Sequence, residues 1–371
     1  MFSLRKNLSN AIGWTTRRKI VVIESDDWGS IRTRSKKDYD AMLAKGLEVD
    51  RSNFTKFDCL ESNSDLENLF DLLYKHKDST GRPAVFTPMC IMANPDFNKI
   101  RDNGFKKYYY ERVDNTIEAY PNHNKVITLW KEGISKRLFV PGFHGREHLN
   151  VCRWMKNIKD NNPGAMIAFE HESMGATWYK NHSIPEYLGA FHTHSETELE
   201  QLKNILKDGI DIFDEICGFK PTHFIAPNME PRIELDKVLS DNGIYVQTMS
   251  KLRKFPKNND KYGFELNWMG KLNKEKQRII TRNCHFEPSD PRKNDWVISC
   301  IEEISNAFKY KKPAIVSTHR VNYIGSISQG NADKGLKELD KLVTTIIEKW
   351  PAVEFMTSTE WGLIIKRSKL K

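Results

Sequence analysis

No two cysteines of this chain lie close together, no apolar run is long, and no segment repeats. The six cysteines fall at 59, 90, 152, 217, 284 and 300, with neighbours 16 to 67 positions apart. That spacing excludes a structural zinc knuckle and a small disulfide scaffold, and reduced cysteines in a core are expected. Nothing approaches eighteen consecutive apolar residues, so no helix is expected to span a bilayer. The amino terminus carries Arg5, Lys6, Arg17, Arg18 and Lys19 but no apolar segment of seven residues. A secretory signal is therefore not expected, and a cytoplasmic protein is. Charge of one sign is also in small excess: 58 Lys and Arg against 49 Asp and Glu leave +9. Such a sum steers anions without defining a nucleic-acid site, and none is predicted.

What is present is enough to fill a core. Of 371 residues, 39% are hydrophobic and 29% charged, which excludes a wholly disordered chain. The length admits one large decorated domain or two ordinary ones. Short apolar runs bounded by Pro or Gly recur at 19–24 (KIVVIE), 82–87 (RPAVFT), 138–141, 222–227, 244–248, 278–286, 313–318 and 353–357. They predict buried strands. Leu66, Leu69, Leu72 and Leu73 recur at helix spacing. So do Leu199, Leu202, Ile205, Leu206, Ile210, Phe213 and Ile216 before Gly218, a C-cap candidate, and Leu336, Leu339, Leu342, Val343, Ile346 and Ile347 before Pro351. Strand–helix alternation predicts an α/β fold with parallel strands covered by helices, a barrel with fewer or less regular strands than eight. Its chemistry should gather at the carboxyl ends of the strands.

The chain is expected to form one domain over 1–371, with a core at about 19–363. Residues 94–137, including Tyr108, Tyr109 and Tyr110, and residues 150–194 interrupt the alternation and are expected to be insertions forming a cap. The Tyr run reads more readily as core packing than as a binding surface. Residues 251–276 are basic and Asn-rich, and are expected to project into solvent.

Three strand ends carry chemistry. Asp26 and Asp27 follow KIVVIE; side chains alternate along a strand, but at its end both can face the opening, one binding a metal and the other acting as a base. His144 and His148 follow 138–143. On a helix beginning after Phe143 they would share a face, and with Asp27 they would make a two-His, one-Asp site leaving a position for water. His319 ends the run PAIVSTH, where an imidazole can deliver a proton. Two further patterns compete. His144 to His148 also fits an inverted zinc-peptidase signature with Glu147 activating water, although Gly145 suits a helix poorly and a solvent-facing Glu147 is the plainer reading. His171, His182, His192 and His194 are candidates for another metal or substrate site, with a surface role favoured.

The order Asp26-Asp27, His144-x-x-x-His148, Phe224-Ile225-Ala226-Pro227, Asp295-Trp296, Ser317-x-His319 closely resembles the polysaccharide deacetylases of carbohydrate esterase family four, the NodB-homology domain. The resemblance implies an irregular (β/α)7 barrel with long loop insertions. It implies Asp26 as general base, Asp27, His144 and His148 as ligands of a divalent ion with zinc foremost, and His319 as general acid partnered by Asp295 or Asp290. Ile225 stands where the family has an arginine that orients the base, Asn228 where it has an aromatic, and Ser317 where it has leucine. Arg146 and Arg320 are candidates to replace that arginine. The implied activity is removal of N-acetyl groups from an amino-sugar-containing saccharide or glycoconjugate. The alternatives are a degenerate barrel that binds a carbohydrate or partner, and a metal-dependent amidase acting on a nonsugar amide.

Overall fold

The structure is a computed structural model that describes residues 12–368. The residues preceding Ile12, on which part of the signal-peptide expectation rests, lie outside them. Nine parallel strands form one sheet: β1 (Lys19–Trp28), β2 (Phe86–Ile91), β3 (Gly142–Gly145), β4 (His223–Phe224), β5 (Val246–Thr248), β6 (Arg278–Ile280), β7 (Cys284–His285), β8 (Ala314–His319) and β9 (Val353–Phe355). The order is β6-β5-β4-β3-β2-β1-β8-β7, with β9 beside the start of β1. The two edge strands are consecutive in the chain and separated only by residues 281–283. One bent segment therefore pairs with β5 through its first half and β8 through its second, closing an irregular (β/α) barrel.

Period-two alternation along β1 explains what the barrel holds. Val21 and Ile23 face outward into the main core. Ile20 and Val22 join a second cluster with Val246, Ile280, Ile315 and Trp361. Glu24 and Asp26 continue the row of Ile20 and Val22, so the interior turns from apolar to charged towards the carboxyl end. Glu24 is fully buried, bonded to Ser358, Thr248 and Arg282.

The predicted helices are present. They are α1 (Asn63–Lys75), α2 (Glu196–Cys217), closed by Gly218 at φ 78, and α3 (Gln329–Lys349). Ser195 caps α2 by accepting from Glu198 N–H. Its buried face includes Leu199, Leu202, Leu206, Ile210 and Phe213, each contributing about 1.5–3 kcal/mol through burial. Gly209 lets α2 approach the loop after β3, since a Cβ there would lie 2.9 Å from Arg146 N.

Two strands sit later than expected. The second begins at Phe86 and runs through Pro88, and the third begins at Gly142 after Phe139 makes an isolated bridge to Phe86. Residues 94–137 and 150–194 carry helices and two-stranded ribbons. Phe97, Trp130, Trp154 and Phe169 from them are buried in the main core, and Tyr108 packs on Trp154. Residues 251–276 are an ordered hairpin, Leu252–Pro256 with Tyr262–Leu266, rather than a purely solvated loop. Among the described residues no disulfide forms, and no helix is long and apolar enough to cross a membrane.

Candidate metal centre and acid–base pair

Asp26 and Asp27 are adjacent yet enter different networks. The register between β1 and β2 shifts between Ser25 and Trp28, and Asp27 adopts φ 79. This irregularity breaks the alternation, so Asp27 joins the charged end of the barrel instead of turning to the outer face.

Asp27 Oδ1 lies 3.1 Å from His148 Nε2 and 3.5 Å from His144 Nε2. Ligands about 2.1 Å from a tetrahedral ion stand about 3.4 Å apart, so the donor set fits a divalent cation. It is the one such group of three among the described residues. His144 Nδ1 donates to the carbonyl of Ile225 at 2.7 Å, which turns Nε2 towards Asp27. Burial and the nearby Arg32 guanidinium push His148 down to about 4, leaving a neutral imidazole with a lone pair at neutral pH. Burial would raise Asp27, but Arg32 and the two imidazoles hold it well below the usual carboxylate range.

The expected helix after Phe143 is absent. His144 lies on β3, where positive φ at Gly145 ends the extended run, and His148 lies in the following loop. The loop, rather than an i to i+4 helix face, brings the imidazoles to 5.1 Å between ring centroids. Glu147 is buried, not solvent-facing, and is held by Arg146 at 2.7 Å and Tyr108 at 3.2 Å. His171 bonds to Asp38, while His192 and His194 meet Tyr262 near the surface.

Asp26 is gripped through both oxygens by Arg282, at 2.6 Å each. Arg282 also donates to Glu24 at 2.7 Å and Ser317 at 3.1 Å. Burial opposes ionisation of Asp26, yet the guanidinium outweighs it and lowers the carboxyl pKa. Neither candidate replacement arginine performs this contact. Arg146 pairs with Glu147 and Asp208, and Arg320 is locked between Asp58 and Glu61.

Register pairs Asp26 with His319 across β1 and β8, leaving His319 Nε2 3.7 Å from Asp26 Oδ2. The other ring nitrogen meets Glu287 at 2.6 Å. Burial disfavours the imidazolium, but Glu287 and then Asp26 overcome it and raise His319 to about 9. Asp295 does not serve this histidine. It caps the helix Trp296–Lys309 by accepting from Ile298 N–H at 2.8 Å, because that helix starts at the next residue. Asp290 is occupied by Arg292. Arg282 and Glu287 are missing from the sequence reading, as is Arg32, which donates to Asp27 at 3.0 Å and reaches His148 Nε2 at 3.4 Å. The signal for the first two was the polar content at and just beyond the strand-like run 278–286.

The triad is sealed, with Asp27, His144 and His148 only 2–3% exposed. His319 is the open side. A cleft of about 1140 Å³ passes it, lined by Phe54, Trp296, Glu287, Val321 and Asn322 among others, and Phe54 meets the imidazole edge-on at 4.8 Å.

No family profile and no curated protein matches the chain. Among solved structures it is similar to polysaccharide deacetylases and proteins of carbohydrate esterase family four. A putative polysaccharide deacetylase from Mycobacterium smegmatis has TM-score 0.47 and 10% identity, over 97% of this chain and 95% of that one. Puue allantoinase has TM-score 0.45 and 8% identity, over 94% and 91%. A family-four pseudoenzyme from Bacillus anthracis has TM-score 0.39 and 12% identity, over 93% and 66%.

Proposed function

We propose that this chain is a metal-dependent amide hydrolase that removes N-acetyl groups from an amino-sugar-containing saccharide. The observation that carries the reading is Asp26, clamped through both oxygens by Arg282, 3.7 Å from His319 and adjacent in the chain to Asp27 of a buried Asp–His–His donor set. The ordered motifs, which resemble family-four deacetylases, supply the substrate class.

Asp27, His144 and His148 would hold a divalent ion of the zinc class. Such an ion, when bound, polarises a carbonyl and acidifies water. Arg282 keeps Asp26 ionised and fixes both its oxygens, so that it can accept a proton from the attacking water. The water oxygen adds to the acetyl carbon as Asp26 takes that proton. His319 holds its proton at neutral pH through Glu287, and transfers it to the amide nitrogen as the carbon–nitrogen bond breaks. The products are acetate and a free amine. Phe54 and Trp296 offer apolar walls to a saccharide in the adjoining cleft.

The test is acetate release by metal-replete protein from a broad panel of N-acetylated saccharides and small amides. Release from saccharides supports the reading; release only from nonsugar amides replaces it with the amidase. A second reading, a barrel that binds without hydrolysing, is favoured by Arg32, whose guanidinium competes for Asp27 and approaches the lone pair of His148. Absence of zinc binding in calorimetric titration removes the hydrolase; where zinc binds, failure of the metal-replete protein across the whole substrate panel favours the binding barrel.

A further inference from the structure

The hairpin Leu252–Pro256/Tyr262–Leu266 breaks the usual rule for a projecting ribbon, in which the outward face is polar. Its inward face is anchored. Buried Arg253 pairs with Asp236 at 2.8 Å, and Phe255 lies over Gly263, where a Cβ would come within 2.2 Å of the ring. Residues paired across antiparallel strands share a face, so Leu252 with Leu266, Lys254 with Phe264, and Pro256 with Tyr262 form the other side. On that side Leu252 is 55% exposed, Phe264 64% and Leu266 67%. Tyr262, Trp268 and Leu272 are exposed too, so six of the ten exposed large hydrophobics among the described residues fall within this one stretch.

Charge accompanies the apolar face. Residues 251–276 contain eight Lys or Arg and three Asp or Glu, a net +5 out of +9 for the whole chain. Arg253 and Lys271 are committed to Asp236 and Glu265, whereas Lys257, Lys261, Lys274 and Lys276 are exposed. A second copy meeting this face would set like charge against like, which disfavours self-association. An exposed ribbon face of Leu and Phe, with Tyr and Trp in the same stretch and exposed Lys257 and Lys261 at its turn, matches a bilayer interface.

We propose that this hairpin docks the protein onto a bilayer surface bearing anionic lipid, with Phe264, Leu266 and Leu252 entering the headgroup–acyl boundary and the lysines meeting the headgroups. The hairpin follows the carboxyl end of β5, the same end of the sheet that carries Asp26 and Asp27, so docking would bring that end of the barrel towards the membrane. The proposal stands apart from the hydrolytic reading, since no residue of the acid–base pair or the triad belongs to it.

The experiment is flotation of the full chain with vesicles of phosphatidylcholine alone or with about 30% phosphatidylglycerol, a typical anionic surface. Binding is expected to the anionic vesicles, roughly tenfold or more weaker on neutral ones. The Phe264→Ser/Leu266→Ser double variant should lose roughly tenfold or more in binding, with an unchanged circular dichroism spectrum. Lys257→Glu/Lys261→Glu should remove most of the preference for anionic lipid. Absence of binding to either vesicle, or equal binding by wild type and both variants, would overturn the proposal. So would a concentration-dependent dimer in sedimentation velocity that Phe264→Ser/Leu266→Ser abolishes, because the face would then belong to a second copy.

Discussion

Asp26 and Asp27 have the same side chain and neighbouring positions, but their surroundings make them different reagents. Asp27 faces two imidazoles and a guanidinium that uses one oxygen, an arrangement suited to sharing a cation. Asp26 is held through both oxygens by Arg282, with an imidazolium beyond. The backbone irregularity at the end of β1 separates the two environments. A pair of adjacent acids is thus converted into two chemically distinct halves by a single residue in the left-handed region.

Substitutions can break this comparison in graded fashion. Asp27→Ala should abolish both stoichiometric divalent metal and acetate release, by roughly a thousandfold or more in kcat/KM; metal analysis and steady-state kinetics report both. If that variant kept its metal, the division of labour would be wrong. Asp26→Asn should retain metal and lose roughly a hundredfold or more in kcat, as for removal of a general base.

Glu287→Gln acts more gently and sharpens the acid side. His319 is raised to about 9 by Glu287 and Asp26 against the cost of burial, so the basic limb of kcat against pH should fall near that value. Losing Glu287 should move the limb towards lower pH and reduce neutral-pH turnover by roughly tenfold. The same group contributes to stability with a defined sign. The contribution is complete below about pH 6.5, the ordinary histidine value, and is lost as pH rises through about 9. Urea midpoints across that window measure it. Asp295→Ala should leave the pH profile untouched and cost only about 1 kcal/mol of stability, the loss of a helix cap.

The parts of this molecule that declare themselves in the sequence are those whose signal is local. KIVVIE and PAIVS are fully buried parallel strands, so their apolar runs stand out. Likewise α2 shows its period and its Gly218 stop. The second strand was displaced because Pro88 reads as a breaker; it lies beside the register shift with β1, where the regular ladder is already interrupted. The helix expected for His144 and His148 failed because Gly145 ends a strand there, yet the loop still delivered both rings to Asp27. Arg282 was out of reach for another reason. Its partnership with Asp26 spans 256 positions and depends on a bend in a segment that reads as one strand. Motif order offers Asp295 and Asp290 as partners of His319, whereas Asp295 caps a helix and Glu287, named by no motif, takes the place beside the imidazole.

The bend between β6 and β7 has a consequence for how the molecule would fail. Arg282 sits in the hinge that joins the two margins of the sheet, so the seam of the cylinder and the clamp on Asp26 are one object. Opening that seam would release Asp26 and Glu24 to water while the outer helices stayed folded. Inactivation should therefore precede global denaturation, with amides of residues 281–283 exchanging before those of β1.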